Sequence, residues 1–232
     1  MRTRAPIVTL AVGAALLIAG CGSSSSSSSS TDAASATTSS SMTSTAAAPT
    51  TAANGTTPGP ETIPLEKGPE LAPASTTSPG HKIDGVIECA PLEQLAYHIH
   101  IHLQVYDNGH SRSLPAAIGL LDPVYENTPY GRFYGAQKCY YWLHTHASDG
   151  IIHVESPTKR IYTLGMFFDE WRQPLSSDQV ASVHGKVTAF LNGKRWTASP
   201  RDLPLEAHFQ IQLDVGKPIV PFKPISFAGS GL

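Results

Sequence analysis

No aromatic residue precedes Tyr97, although the chain of 232 residues contains 8 Tyr, 7 Phe and 3 Trp. Residues 22–80 consist mainly of Ser, Thr, Ala, Pro and Gly, including eight consecutive serines at 23–30. Such a segment cannot bury enough apolar surface to offset the entropy lost on ordering. The sequence therefore predicts a disordered tether over residues 21–80, open to O-glycosylation, and a single globular β-rich domain over residues 81–232.

Charged residues are also scarce, at 15% of the chain, and 16 Lys and Arg nearly balance 18 Asp and Glu. No basic run is present that would attract nucleic acid or anionic lipid, which argues against a nucleic-acid-binding protein. The chain also lacks a G-x-S-x-G nucleophile elbow and a phosphate-binding glycine loop. These absences argue against serine hydrolases of that type and against nucleotide enzymes that use such a loop.

Long apolar runs are missing as well. The longest, over residues 7–18, is too short to span a bilayer, which takes about 20 residues. It follows Arg2 and Arg4, as in a secretory signal peptide over residues 1–20. It ends in Ile-Ala-Gly-Cys at 18–21, which resembles the lipobox of bacterial lipoproteins. The resemblance implies cleavage before Cys21, lipid attachment to Cys21 and anchoring on the extracytoplasmic face of the cell membrane. A plain signal peptide with an incidental cysteine is the alternative.

Only three cysteines occur in the chain. If Cys21 is lipidated, Cys89 and Cys139 form an even pair in an oxidising compartment, which predicts a disulfide bond between them. The alternative is a metal thiolate, because Cys139 and His144 loosely resemble the copper loop of cupredoxins. That loop needs a methionine shortly after the histidine, whereas the next one here is Met166. The disulfide is therefore preferred.

Histidine, in contrast, is concentrated in two short segments. Residues 97–102 read Tyr-His-Ile-His-Ile-His, and because strand side chains alternate, the three histidines share one face. In residues 139–155, runs rich in aromatic and β-branched residues flank Ala-Ser-Asp-Gly at 147–150, which predicts a hairpin with a four-residue loop. That register places His153 opposite His144 and on the same face as His146. A bulge at Gly150 would move His153 to the other face.

Neutral imidazoles are good ligands for borderline metals such as Zn²⁺ and Cu²⁺. The sequence therefore predicts a copper or zinc site built from His98, His100, His102, His144, His146 and His153. The remaining histidines are isolated. His110, His184 and His208 are predicted to be structural or to lie at the surface, and His81, at the end of the tether, is predicted to be solvated. Alternatively, the clustered histidines are solvated or hydrogen-bonded without metal.

Two other functions remain open from the sequence. One is a metal-free module that binds another component of the cell envelope through its sheet. The other is a metal-dependent hydrolase in which Glu155 acts as general base or orients a ligand. The JAMM and cupin patterns both contain the His144-x-His146 arrangement, but their further ligands are missing at the required spacing. The chain is therefore not predicted to be an enzyme of either family.

The predicted fold is a β-rich α+β domain of antiparallel hairpins with one short helix packed on the sheet. Asn-Gly turns at 108–109 and 192–193 predict hairpins, Thr163 predicts a helix N-cap, and residues 121–135 are predicted to be a loop. From residue 151 onward, the order of strands, helix and hairpin resembles a β-grasp, as in ubiquitin-like folds. Segments 98–105, 143–157 and 162–171 resemble those of secreted bacterial and archaeal proteins without an established function, so this resemblance implies no chemistry.

Overall fold

The computed structural model describes residues 58–74 and 81–232. These residues contain fourteen strands, one α-helix and one 3-10 helix (Pro200–Asp202), connected by turns and loops. The strands are β1 (Cys89–Ala90), β2 (Tyr97–Asp107), β3 (His110–Arg112), β4 (Leu120–Thr128), β5 (Gly131–Tyr141), β6 (Leu143–His144), β7 (Ile151–Ser156), β8 (Tyr162–Thr163), β9 (Gln179–Val180), β10 (Val183–His184), β11 (Val187–Leu191), β12 (Lys194–Trp196), β13 (Pro204–Leu205) and β14 (Gln210–Val215). The helix α1 spans Leu164–Trp171. The predicted β-rich α+β class is thereby confirmed.

The largest sheet has the strand order β12-β11-β14-β2-β7-β6, with β3 paired to β2. Its two central strands, β14 and β2, are parallel, whereas the other neighbours are antiparallel. The turns at Asn108-Gly109 and Asn192-Gly193 have positive φ at both residues, as expected for tight hairpin turns. Both predicted Asn-Gly hairpins are therefore confirmed, and they fix the register of the strands on either side.

Helix α1 covers one face of this sheet. The Thr163 hydroxyl accepts a hydrogen bond from the Met166 amide, as predicted for the N-cap, and Arg172 ends the helix in a left-handed conformation. Leu164, Phe167, Phe168 and Trp171 of α1 are fully buried and share a core with the inward-facing residues of β2 and β7. Each such side chain contributes roughly 1.5–3 kcal/mol by leaving water. Because strand side chains alternate, the neighbouring histidines of β2 and β7 lie on the opposite face.

The predicted loop over residues 121–135 is wrong. Strands β4 and β5 form a long antiparallel hairpin there, joined to β1 in a second sheet. Proline and glycine favoured a loop in the sequence, but the many tyrosines suit a strand. Pro123 lies at a register shift between Leu121 and Pro123, where the regular pairing is already interrupted, so its missing N–H is tolerated.

The folded domain begins earlier than predicted. Residues 58–74 were assigned to the tether, yet Ile63 and Leu71 are only 2% and 1% exposed. Backbone carbonyls hold this segment to the domain: the Trp171 indole donates to Pro73, and the Arg112 guanidinium donates to Pro69. Such bonds have no sequence signature, which explains the error. Residues 1–57 and 75–80, including the predicted signal peptide and Cys21, lie outside the described residues.

The predicted disulfide between Cys89 and Cys139 is present, with Cα atoms 5.5 Å apart. It connects β1 and β5 across 50 residues of sequence, a constraint that stabilises the fold by about 2–4 kcal/mol. It does not hold the two histidine strands β2 and β6 side by side, because β7 lies between them. Within the described ranges, no helix is long and apolar enough to cross a membrane.

Candidate metal centre

Three adjacent strands bring the histidines together. In the sheet, His144 of β6 is paired with His153 of β7, which is paired in turn with His100 of β2. The predicted register of the hairpin is therefore confirmed, and no bulge moves His153 to the other face. Ligand atoms of His144, His146, His153 and Glu155 all lie within 4.8 Å of one another, and we call this set the buried group. His98, His100 and His153 form a second such set, the outer group.

The tautomers of His144 and His146 follow from their backbone partners. The Nδ1 atom of His144 lies 2.8 Å from the carbonyl oxygen of Tyr141, and Nδ1 of His146 lies 2.5 Å from that of Tyr134. A carbonyl can only accept, so both Nδ1 atoms carry the proton and donate. Each neutral ring then has its lone pair on Nε2, and these two Nε2 atoms are only 3.1 Å apart. Two lone pairs therefore point into the same small space.

His153 is oriented by a carboxylate from the segment that was predicted to be tether. Its Nε2 lies 2.6 Å from Oε1 of Glu61, and the two side chains are buried. Because Glu61 is ionised in this pair, Nε2–H donates and Nδ1 is left facing the buried group. That Nδ1 has no hydrogen-bond partner, although Oε1 of Glu155 lies 3.4 Å away. A carboxylate that orients a histidine in this way is typical of metal centres.

Glu155 connects the two groups. Its Oε1 lies 3.1 Å from Nε2 of His98, 3.7 Å from Nε2 of His144 and 3.4 Å from Nδ1 of His153. The side chain is only 2% exposed, and its Oε2 has no hydrogen-bond partner. A buried carboxylate with an oxygen that lacks a hydrogen-bond partner is stabilised by cationic neighbours or by a bound cation.

Burial sets the protonation of most of these histidines. It lowers the pKa of His144 well below 6.5, that of His146 to about 4 and that of His100 to about 3, with neighbouring histidines adding to the effect. These rings are therefore neutral at neutral pH and have free lone pairs. Burial alone would also lower the pKa of His153, but Glu61 and Glu155 outweigh it and raise that pKa to about 10.

The structure does not bring His102 to the other histidines. It is 6% exposed and belongs to neither group, because its partner in β7 is Ile151 rather than a polar residue. Its ring contacts the backbone at Asp149 and lies close to Gly150. Including His102 among the ligands is therefore corrected: it shares a face with His98 and His100, but lies one pair too far along the strand. The four isolated histidines are exposed: this was predicted for His81, and for His110, His184 and His208 it favours the surface over a structural role.

The sequence analysis did not identify two glutamates near the histidines. Glu61 lies 92 positions before His153 in a low-complexity segment, and no spacing rule could have found it. Glu93 lies in the turn before β2, with its Oε1 3.6 Å from Nε2 of His146, and its side chain is 35% exposed. Its position could have been noticed only from its closeness to the first histidine strand.

The chain matches no protein-family model, no curated protein and no solved structure. The function is therefore inferred from the arrangement of the described side chains. Buried His and Glu groups lie close enough to hold a metal ion.

Proposed function

We propose that this protein binds one divalent transition-metal ion, Zn²⁺ or Cu²⁺, through Nε2 of His144 and His146, Nδ1 of His153 and Oε1 of Glu155. The observation that carries the proposal is the 3.1 Å separation of the Nε2 atoms of His144 and His146, both of which are buried. Both rings are neutral at neutral pH and carry their one proton on Nδ1, so no proton lies between the two Nε2 atoms. A cation between the two nitrogens relieves this repulsion, and imidazole nitrogens suit Zn²⁺ and Cu²⁺.

The distances within the buried group support the same conclusion. Ligand atoms at 2.0–2.1 Å from a tetrahedral ion are about 3.3 Å from each other. The separations are 3.1 Å between His144 and His146, 3.4 Å between His153 and Glu155, and 3.7 Å between His144 and Glu155. All four ligand atoms lie within 4.8 Å of one another. Three nitrogens and one oxygen form a donor set for a borderline metal rather than for Mg²⁺ or Ca²⁺.

Titration of the purified, metal-stripped chain tests this proposal. Zn²⁺ or Cu²⁺ should bind with a stoichiometry of one and a Kd below about 1 μM, and should raise the melting temperature by mass action. Mg²⁺ at the same concentration is the control and should do neither. If neither transition metal binds more tightly than about 1 mM, the metal site does not exist and the metal-free interaction module becomes the better explanation.

Burial argues against the metal-dependent hydrolase. All four side chains of the buried group are at most 6% exposed, so a bulky substrate cannot reach an ion held there. A catalytic centre also needs an open ligand position, whereas Glu155 would occupy the fourth position here. Metal binding without chemistry on a substrate is the role that this geometry supports.

We also propose that Cys21 anchors the protein to the extracytoplasmic face of the cell membrane. The lipobox motif supports this, and the disulfide between Cys89 and Cys139 suits an oxidising compartment. When the protein is expressed in bacteria, Cys21→Ser should leave the precursor uncleaved or release the protein from membranes. Detergent-phase partitioning measures this, and partitioning equal to that of the unaltered protein would exclude a lipid at Cys21.

For the fold, we propose a β-grasp core built from β2, β7, β11, β12 and β14. The parallel central pair of β2 and β14, with β7 outside one and the β11–β12 hairpin outside the other, supports it. Strands β3–β6 would then be an insertion that carries His144. An experimental structure in which β2 and β14 are not neighbours would exclude this core.

A further inference from the structure

A series of histidine rings leads from the surface to the buried group. The side chain of His98 is 35% exposed, whereas His100, His153 and His144 are 7%, 4% and 0% exposed. Ring centroids are 4.5 Å apart between His98 and His100, 4.5 Å between His100 and His153, and 5.3 Å between His153 and His144. The outer group therefore forms a continuous path of nitrogen ligands from solvent to the ion site.

Two residues belong to both ends of this path. His153 is a member of the outer group and of the buried group. Oε1 of Glu155 lies 3.1 Å from Nε2 of His98 and 3.7 Å from Nε2 of His144. An ion held by His98 and His100 is thus already within reach of ligands that belong to the buried group.

An ion cannot enter the buried group directly with its water shell, because the four side chains of the group are at most 6% exposed. Removing the water before any protein ligand is in place would cost far more than the binding can return. Exchange of one water for one imidazole at a time avoids this cost. It requires ligands at intermediate depth, and His98 and His100 have that depth.

We propose that His98 and His100 form an outer half-site that accepts a divalent transition-metal ion from solvent and passes it to the buried group by ligand exchange. This inference rests on the proposed metal-binding function. The half-site acts on the rates of uptake and release, because its ligands are left behind when the ion reaches His144 and His146. Glu155 and His153 remain bound to the ion during the transfer.

A second approach to the buried group is visible in the structure. Glu93, with its side chain 35% exposed, places Oε1 3.6 Å from Nε2 of His146. On this side a single carboxylate, Glu93, is available for ligand exchange. On the other side His98, His100 and the shared Glu155 allow several successive exchanges. The outer half-site therefore predicts that removal of His98 and His100 slows exchange more than removal of the Glu93 charge.

Stopped-flow kinetics of Zn²⁺ uptake, and of Zn²⁺ release into a chelator, test the half-site on the full chain. The double variant His98→Ala/His100→Ala should slow both rates by about tenfold or more and change the Kd less than about threefold. The control double variant His110→Ala/His184→Ala, at two exposed positions, should change neither rate. The single variant His98→Ala, whose side chain lies partly in solvent, should show the same slowing to a smaller extent and guards against misfolding of the double variant.

Three results would overturn the half-site. Unchanged rates in both His98 variants would show that the ion does not pass these rings. Greater slowing by Glu93→Gln would assign uptake to the other side. Loss of equilibrium affinity in the double variant would make His98 and His100 permanent ligands. None of these results would remove metal binding by the unaltered chain, so failure of the half-site can be distinguished from failure of the metal site.

Discussion

The double variant His144→Asn/His146→Asn is expected to bind Zn²⁺ and Cu²⁺ at least about a thousandfold more weakly than the unaltered chain, and each single variant at least about a hundredfold. Both Nε2 atoms then disappear from the place where the ion would lie. With only His153 and Glu155 left in the buried group, the ion loses half of its protein ligands. Competition titration against a chelator of known affinity measures the loss.

Asparagine is chosen because it keeps the structural role of each histidine. Its side-chain amide can occupy the position of Nδ1 and donate to the carbonyl oxygen of Tyr141 or Tyr134, so neither buried carbonyl loses its partner. Alanine would leave a cavity and an unsatisfied carbonyl, and a loss of affinity could then reflect unfolding. The melting temperature of the metal-free variants should therefore remain close to that of the metal-free parent.

His184→Asn is the matched control, because His184 is exposed and belongs to neither histidine group. It should bind both metals as the parent does. Equal losses in His184→Asn and His144→Asn, or no loss in the double variant, would contradict ligation by the buried group. Binding that survives only in the His146 single variant would reduce the donor set to His144, His153 and Glu155.

The histidine face could be predicted because strand geometry is local. Alternation of Ile and His in β2 separates a face that packs in the core from one that carries ligands, and the structure has both. The pairing of His144 with His153 followed from the composition of the turn at 147–150 alone. Period and turn chemistry were sufficient here, since neither depends on distant parts of the chain.

The rest of the site depends on contacts that sequence spacing does not encode. Glu61 reaches His153 because backbone bonds and buried apolar side chains hold residues 58–74 to the domain, within a segment whose composition indicates disorder. His102 has the same parity as His98 and His100, so alternation could not exclude it. Only the pairing of β2 with β7 shows that the residue opposite His102 is Ile151, outside the ligand cluster.

The core and the site are also coupled through the same two strands. Ile101 and Ile152 are fully buried in the core shared with α1, while their neighbours His100 and His153 face the other way. A rigid apolar layer therefore holds the ligand atoms at fixed separations before any ion arrives. Ligands that are already in place lose little conformational entropy when the ion binds. This site should therefore bind an ion more tightly than a flexible histidine tail would.

The affinity for Zn²⁺ is expected to rise about tenfold for each pH unit between pH 6 and pH 8, which is about a hundredfold overall. His153 is the cause. Its pKa of about 10 means that the metal-free ring carries two protons throughout this range, and the ion must displace the one on Nδ1. The low pKa values of His144 and His146 make these rings neutral already, so they add pH dependence only in more acidic solution.

The sign of the effect separates ion binding from folding. A raised histidine pKa stabilises the metal-free fold fully below the unfolded value of about 6.5, and this contribution is lost as the pH rises toward about 10. Metal affinity must change in the opposite direction, because deprotonation of His153 helps the ion. Calorimetry at pH 7 in two buffers of different ionisation enthalpy should therefore find about one proton released per ion bound.

The variant Glu61→Gln tests whether the proton released on metal binding comes from His153. Glutamine can still accept the hydrogen bond from Nε2–H, but without the negative charge the pKa of His153 falls, although Glu155 still raises it. Proton release at pH 8 should then decrease and the slope of affinity against pH should flatten, while Glu70→Gln, at an exposed position of the same segment, should behave as the parent. An affinity that does not vary with pH in the unaltered chain, or a Glu61→Gln slope equal to that of Glu70→Gln, would mean that His153 is not a ligand held by Glu61.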